Sequence, residues 1–112
     1  MSVPHLSRRL VLEEAQRVPD GAGGFALTWA TKGTLWAAIE AGAGRERAGE
    51  SATISTAAYR ITVRAALVGA PSRPRAEQRF RDGARVFVIG AVTEADEDGR
   101  YLTCHATEEV LS

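Results

Sequence analysis

The 112-residue chain is poor in the side chains on which enzymes and metalloproteins are usually built. It has one cysteine, Cys104, so no internal disulfide can form, which agrees with folding in a reducing cytoplasm. His5 and His105 are the only histidines, and nothing here has the paired spacing that a structural zinc site requires. Lys32 is the only lysine, the other basic residues being arginine. No apolar run approaches the roughly 20 residues of a membrane helix. The N-terminal stretch MSVPHLSRRL lacks the apolar core of a signal peptide, so neither membrane nor secretion is expected. The formal net charge is zero, unlike the basic footprint of most nucleic-acid-binding domains.

What is present is ordinary globular material, 45% hydrophobic and 25% charged. The length suits a single domain over residues 1–112, able to bury roughly 65% of its unfolded surface. Helical periodicity is weak, and period-two alternation between turn signals recurs instead. Leu10 and Leu12 share one face of a strand, with Arg9 and Val11 on the other. The run Pro19-Asp20-Gly21-Ala22-Gly23-Gly24 is a turn, because glycine accepts positive φ without a Cβ clash. Phe25, Leu27 and Trp29 then share a face, as do Leu35, Ala37 and Ile39 beyond a kink near Lys32-Gly33; one bent strand or two would fit.

Tyr59, Ile61, Val63 and Ala65 alternate with Arg60, Thr62 and Arg64, and Gln78 and Phe80 alternate with Arg79 and Arg81. Asp82-Gly83 lies between two strand-like runs and is the strongest hairpin signal in the chain. Val86 to Val92 is apolar on both faces, with Gly90 a candidate bulge, and Asp96-Glu97-Asp98-Gly99 marks another hairpin before Leu102, Cys104 and Ala106. The expected fold is all-β: a small barrel or sandwich of about five to seven short antiparallel strands. Ala41 to Ala58 breaks the pattern, with Ile54 its only large apolar residue, and reads as one long flexible loop with a short helical turn near Gly44–Arg47.

Catalytic and metal-binding readings fail one by one. Cys104 and His105 are neighbours on a strand and point to opposite faces, so they cannot act as a nucleophile–base pair beside Glu108. Asp96 to Gly99 lacks the spaced oxygens of a calcium loop. The glycines at 21–24 are not followed by the Gly-Lys-Ser/Thr of a phosphate loop. No catalytic residue, metal ligand or cofactor is assigned. Trp29 and Trp36 could stack on bases, but their strand context favours packing in the core or an interface.

Charge is segregated along the chain. Residues 60–85 hold seven arginines against Glu77 and Asp82, and residues 86–112 hold Arg100 against six acids, about +5 and −5 by this count. Either these are solvated or internally paired faces, or a basic surface of one subunit meets an acidic surface of the next.

Taken in order, the segments resemble the head–tail joining family of tailed phages, the head-closure or stopper proteins. The resemblance rests on Leu6-Ser7-Arg8-Arg9-Leu10-Val11-Leu12-Glu13, Asp20-Gly21 to Gly24 followed by Leu27-Thr28-Trp29, Gly33 to Glu40, Gly44-Arg45-Glu46, Tyr59 to Arg64, Phe80 to Gly90, and an acidic turn followed by Tyr101 to Cys104. The stretch Val68 to Arg75 is richer in proline and arginine than that pattern. The resemblance implies a non-enzymatic β-barrel that forms a homo-oligomeric, hexameric ring in the neck of a virion or phage-like particle assembled in the bacterial cytoplasm. Its partners would be further copies of itself, portal and adaptor proteins above, tail proteins below, and DNA passing without sequence specificity. The loop at 41–58, with Arg45, Glu46, Arg47 and Glu50, would face the channel. Candidate contacts between subunits are Arg60, Arg64, Arg79 and Arg81 with Glu94, Asp96, Glu97, Glu108 and Glu109. A nucleic-acid-binding barrel, or another neck protein such as a tail terminator, is the competing reading.

Overall fold

The computed structural model describes residues 3–42 and 57–109, and among these there is no helix. Six strands, β1 (Arg8–Pro19), β2 (Phe25–Ala41), β3 (Ala57–Arg64), β4 (Arg79–Asp82), β5 (Arg85–Glu94) and β6 (Tyr101–Glu109), form a closed barrel in the order β1-β2-β3-β6-β5-β4. Every ladder is antiparallel. The all-β expectation holds, with the barrel as the form taken.

Alternation sets the inside of the barrel. Leu10 and Leu12 of β1, Ala37 of β2, Ile61 and Val63 of β3, Phe80 of β4, Phe87 and Ile89 of β5, and Leu102, Cys104 and Ala106 of β6 make one buried cluster. Each strand sends every second residue inward, as closure of a sheet on itself demands. Leu35 and Ile39 pack against that cluster from partly buried positions. The short β4 is what closes the ring of strands, pairing Val11–Glu13 of β1 with Arg79–Arg81.

Two ladders carry an extra residue. Opposite the Leu12/Glu13 step of β1, β2 passes from Gly33 to Thr31, which makes Lys32 the additional residue. Thus the kink expected at Lys32-Gly33 is a bulge within one continuous 17-residue strand. In the β5–β6 ladder the register jumps at Gly90, between Ile89 and Ala91, as its sequence context suggested. Asp82 pairs with Arg85, so the tight turn is Gly83-Ala84, with Gly83 at φ 60°. A glycine there avoids the Cβ strain of the left-handed region.

The antiparallel order gives the barrel two unlike ends. At one rim lie the start of β1, the end of β2, the start of β3, the β4–β5 turn and the end of β6. There the Gly42 N–H donates to the Ala58 carbonyl at 2.7 Å, clamping together the chain on either side of residues 43–56. The opposite end holds the β1–β2 turn, the connection over residues 65–78 and the β5–β6 hairpin.

The β1–β2 ladder outruns the barrel. β2 meets β3 only over Ala37–Ala41, and β1 meets β4 only over Val11–Glu13. Residues 14–19 and 25–31 therefore form a two-stranded arm without a third described strand on either edge. Its turn is built by Asp20: the carboxylate accepts from the N–H groups of Ala22 (2.8 Å) and Gly24 (3.0 Å), while the Asp20 N–H donates to the Gly24 carbonyl. These backbone N–H groups hold the Asp20 carboxyl below its ordinary value.

Candidate functional site

The candidate site is sought among the groups that face outward and the groups that fix them. The arm comes first. Register places Ala15 opposite Trp29, Arg17 opposite Leu27, and Pro19 opposite Phe25, so one face of the arm carries Phe25, Leu27 and Trp29 together. The shared face read from the sequence is correct, but it does not enter the core. Phe25 is 67% exposed and Leu27 59% exposed. Trp36, lower on β2, is 58% exposed, so packing in the core is excluded for it.

At the arm's base two clusters brace it, one on each face. Glu13, 4% exposed, accepts from Arg79 Nε at 2.7 Å and lies 3.6 Å from Arg81 Nε. The Arg79 guanidinium is stacked 3.8 Å over the Trp29 ring, so one arginine of β4 ties both strands of the arm to the barrel. On the other face Glu14 pairs with Arg75, and lies 3.4 Å from Lys32 Nζ and 3.5 Å from Gln78 Nε2. Burial opposes the Glu14 anion, yet the Lys32 hydrogen bond and the charges of Arg75 and Lys32 outweigh it and lower its pKa. Gln78 is itself buried, with its carbonyl oxygen accepting from the Arg75 N–H at 2.7 Å.

The rim at the other end is closed by paired charges. Glu108 accepts from Arg85 Nε (2.8 Å) and Nη2 (3.1 Å), the bidentate geometry that carboxylate and guanidinium favour. The same guanidinium lies over Phe87 (4.9 Å), whose ring meets Tyr59 edge-on at 5.3 Å. Arg8 pairs with Asp82 beside them. The Arg85 hydrogen bond, partly opposed by burial, holds the Glu108 carboxyl below its usual range, and the same bond raises Arg85.

The arginines and acids singled out as inter-subunit candidates divide accordingly. Arg79 and Glu108 are engaged within the chain, and Arg81 leans on Glu13 while staying half exposed. Asp96 shapes the β5–β6 hairpin, accepting from the Arg100 and Tyr101 N–H groups. Arg60 reaches Glu40 at 3.4 Å across the exposed surface, a pair of little energetic weight. Arg64 lies over the Tyr101 ring at 5.8 Å. Arg64, Glu94, Glu97 and Glu109 are exposed and have no ion-pair partner among the described residues. Arg45, Glu46, Arg47 and Glu50, with the helical turn expected near them, lie outside the described residues.

The Cys104–His105 pair behaves as strand geometry requires. Cys104 is in the core, where burial pushes its thiol up to about 12. His105 is on the outer face with its Nε2 3.2 Å from Thr93 Oγ1. The brace was not foreseen from the sequence. The one available signal was length: β2 runs for 17 residues, against 12 for β1 and 10 for β5.

A family model described as phage head completion protein matches residues 1–109. A solved structure titled "Virion of native gene transfer agent (GTA) particle" contains a chain 58% identical to this one, superposing with a TM-score of 0.82 and covering 98% of this chain and 100% of that one. No curated protein matches.

Proposed function

The chain belongs to the phage head completion protein family, and from that premise we propose that it is one copy of a head-to-tail ring in the neck of a tailed particle. The ring would sit between portal or adaptor proteins on one side and tail proteins on the other, with DNA passing along its axis. The observation that carries this reading is the 58% identity, over nearly the full length, to a chain of an assembled gene transfer agent virion. It is the reading of a structural component, and it asks no catalytic step of the protein.

The physical properties of the barrel support it. A cyclic assembly uses heterologous contacts, so two different faces of one subunit must match. Arg60 and Arg64 on β3 offer positive charge, while Glu94 and Glu97 near the β5–β6 hairpin and Glu109 at the rim offer negative charge. These exposed residues are the proposed inter-subunit pairs, with Arg81 sharing its charge between Glu13 and the exterior. Arg79, Glu108 and Asp96 contribute by fixing the surfaces rather than by crossing the interface. The segment with Arg45, Glu46, Arg47 and Glu50 leaves and rejoins the barrel at one rim, a suitable place from which to face a channel. Its balanced charge would let DNA pass without the salt-dependent grip that net phosphate neutralisation creates.

Particles produced without the gene test the joining role: heads should accumulate without tails, and tailed particles that hold their DNA would overturn it. Deleting Gly44 to Thr53 tests the channel role separately. Tails should still attach while packaged DNA leaks, and particles that keep their DNA would remove the channel role alone.

A further inference from the structure

The barrel closes through its shortest ladder. β4 has four residues and meets β1 only over Val11–Glu13, whereas β3 and β6 pair along eight. One fully buried apolar pair crosses this seam, Leu12 opposite Phe80. The side chains that reach across it to the arm are polar: Arg79 and Arg81 on Glu13, and Arg75 and Gln78 on Glu14. The Arg75 and Arg81 guanidiniums are exposed, so salt screens their pairs.

The other edge of β4 is held more firmly. All four of its residues pair with β5 across a tight turn. Glu77, at φ 75° the one described non-glycine residue in the left-handed region, carries that pairing further. Its N–H donates to the Ile89 carbonyl, and the Ile89 N–H donates to the Gln78 carbonyl, both at 2.9 Å. A side chain in that conformation persists only where its surroundings over-determine it, and here β5 does so. β4 therefore belongs with β5, and a parting falls on its β1 side.

We propose that the β1–β4 seam is a latch, which opens while the other five ladders stay paired and so releases the base of the arm. Local opening takes the parts held by few buried apolar contacts and leaves the rest folded. The four groups that grip Glu13 and Glu14 from β4 and its approach all lie within residues 75–81, so parting the seam frees both faces of the base together. The arm then turns with its own two strands intact, which redirects Phe25 and Leu27 without unfolding the barrel. Cys104, on β6 between β3 and β5, stays in the closed part. The latch is a property of the free chain, and its failure would leave the ring reading standing.

Amide hydrogen exchange, followed by NMR on the free chain, tests the latch. Amides of residues 11–13 and 79–81 that point across the seam should exchange on the order of tenfold faster, or more, than the paired amides of Ile61–Val63. Sodium chloride at about 1 M should speed the seam several-fold further and leave the β3–β6 amides unchanged. Acrylamide quenching of Trp29, read in a Trp36→Phe background, should rise in step, because the Arg79 guanidinium leaves the ring it covers. Val11 and Arg81 stand opposite each other on the outer face, so a disulfide between Val11→Cys and Arg81→Cys should slow the seam to the β3–β6 rate. Reduction should restore the difference. The inference is overturned if the seam amides are as slow as those of β3–β6, or if salt speeds both alike, which is loosening of the whole barrel. It also falls if the seam responds to salt while Trp29 does not.

Discussion

Replacing Arg79 by methionine removes the one side chain that ties both strands of the arm to β4. The carboxylate of Glu13 is then left 4% exposed with only Arg81, 3.6 Å away and half solvated, as a counter-charge. Breaking a buried pair by removing one partner costs about 3–5 kcal/mol. The residual Arg81 contact places this case near the lower end, and the lost stacking on Trp29 adds about 1 kcal/mol. A total of about 4 kcal/mol corresponds to a fall of roughly 17 °C in Tm for a domain of this size. Far-UV circular dichroism in urea would read the stability, with tryptophan fluorescence following Trp29 and Trp36. The penalty comes chiefly from the orphaned charge, so Glu13→Leu added to Arg79→Met should recover more than half of it. A single-variant loss below about 1 kcal/mol, or a double variant no better than the single, would refute the reasoning.

Three further outcomes follow from the rim, the core and the turns. Glu108 has a lowered pKa, so its contribution is full above its ordinary value of 4.5 and is lost as pH falls through the lower folded value. Glu108→Gln should flatten that part of the acid limb in urea titrations at stepped pH, and an unchanged limb would contradict the assignment. The Cys104 thiol, buried and pushed up to about 12, should resist a disulfide-exchange reagent in the native protein and react at the rate of unfolding. Rapid labelling under native conditions would show that the core opens locally. Gly83→Val places a branched side chain at φ 60° and should cost about 1–2 kcal/mol, measured as a shift in the urea midpoint at constant slope. No shift would mean that the turn adopts another form.

Local pattern carried most of the strands. Alternation at Ile61 and Val63, or at Leu102, Cys104 and Ala106, reports directly which side chains line the barrel, because each strand there has neighbours on both edges. The Gly90 bulge and both tight turns were equally legible, since glycine is needed where the backbone bends. The same alternation misled at Trp36 and left Phe25 and Leu27 without a home. A period of two says that residues share a face and not whether anything covers it. That depends on the length of the ladder relative to its neighbours, which is settled by β4 closing onto β1 across a long separation in sequence. Glu13 and Gln78 were invisible for the same reason: their burial comes from partners more than sixty residues away. The charge segregation read as a possible ring contact was partly consumed inside the chain, where Arg85 found Glu108.

The hydrogen bond between Gly42 and Ala58 also bears on how such a protein can diverge. A Cβ on Gly42 would meet the Ala58 carbonyl oxygen at 3.2 Å, so the two backbones approach as closely as they do because that position is glycine. With the ends of the intervening fifteen residues already pinned side by side, the closure entropy grows only with the logarithm of the number between them, about 0.6 kcal/mol for a doubling. Insertions and deletions there are thermodynamically cheap and leave the pairing of β2 with β3 untouched. Relatives can therefore resize whatever reaches from that rim while inheriting the same wall.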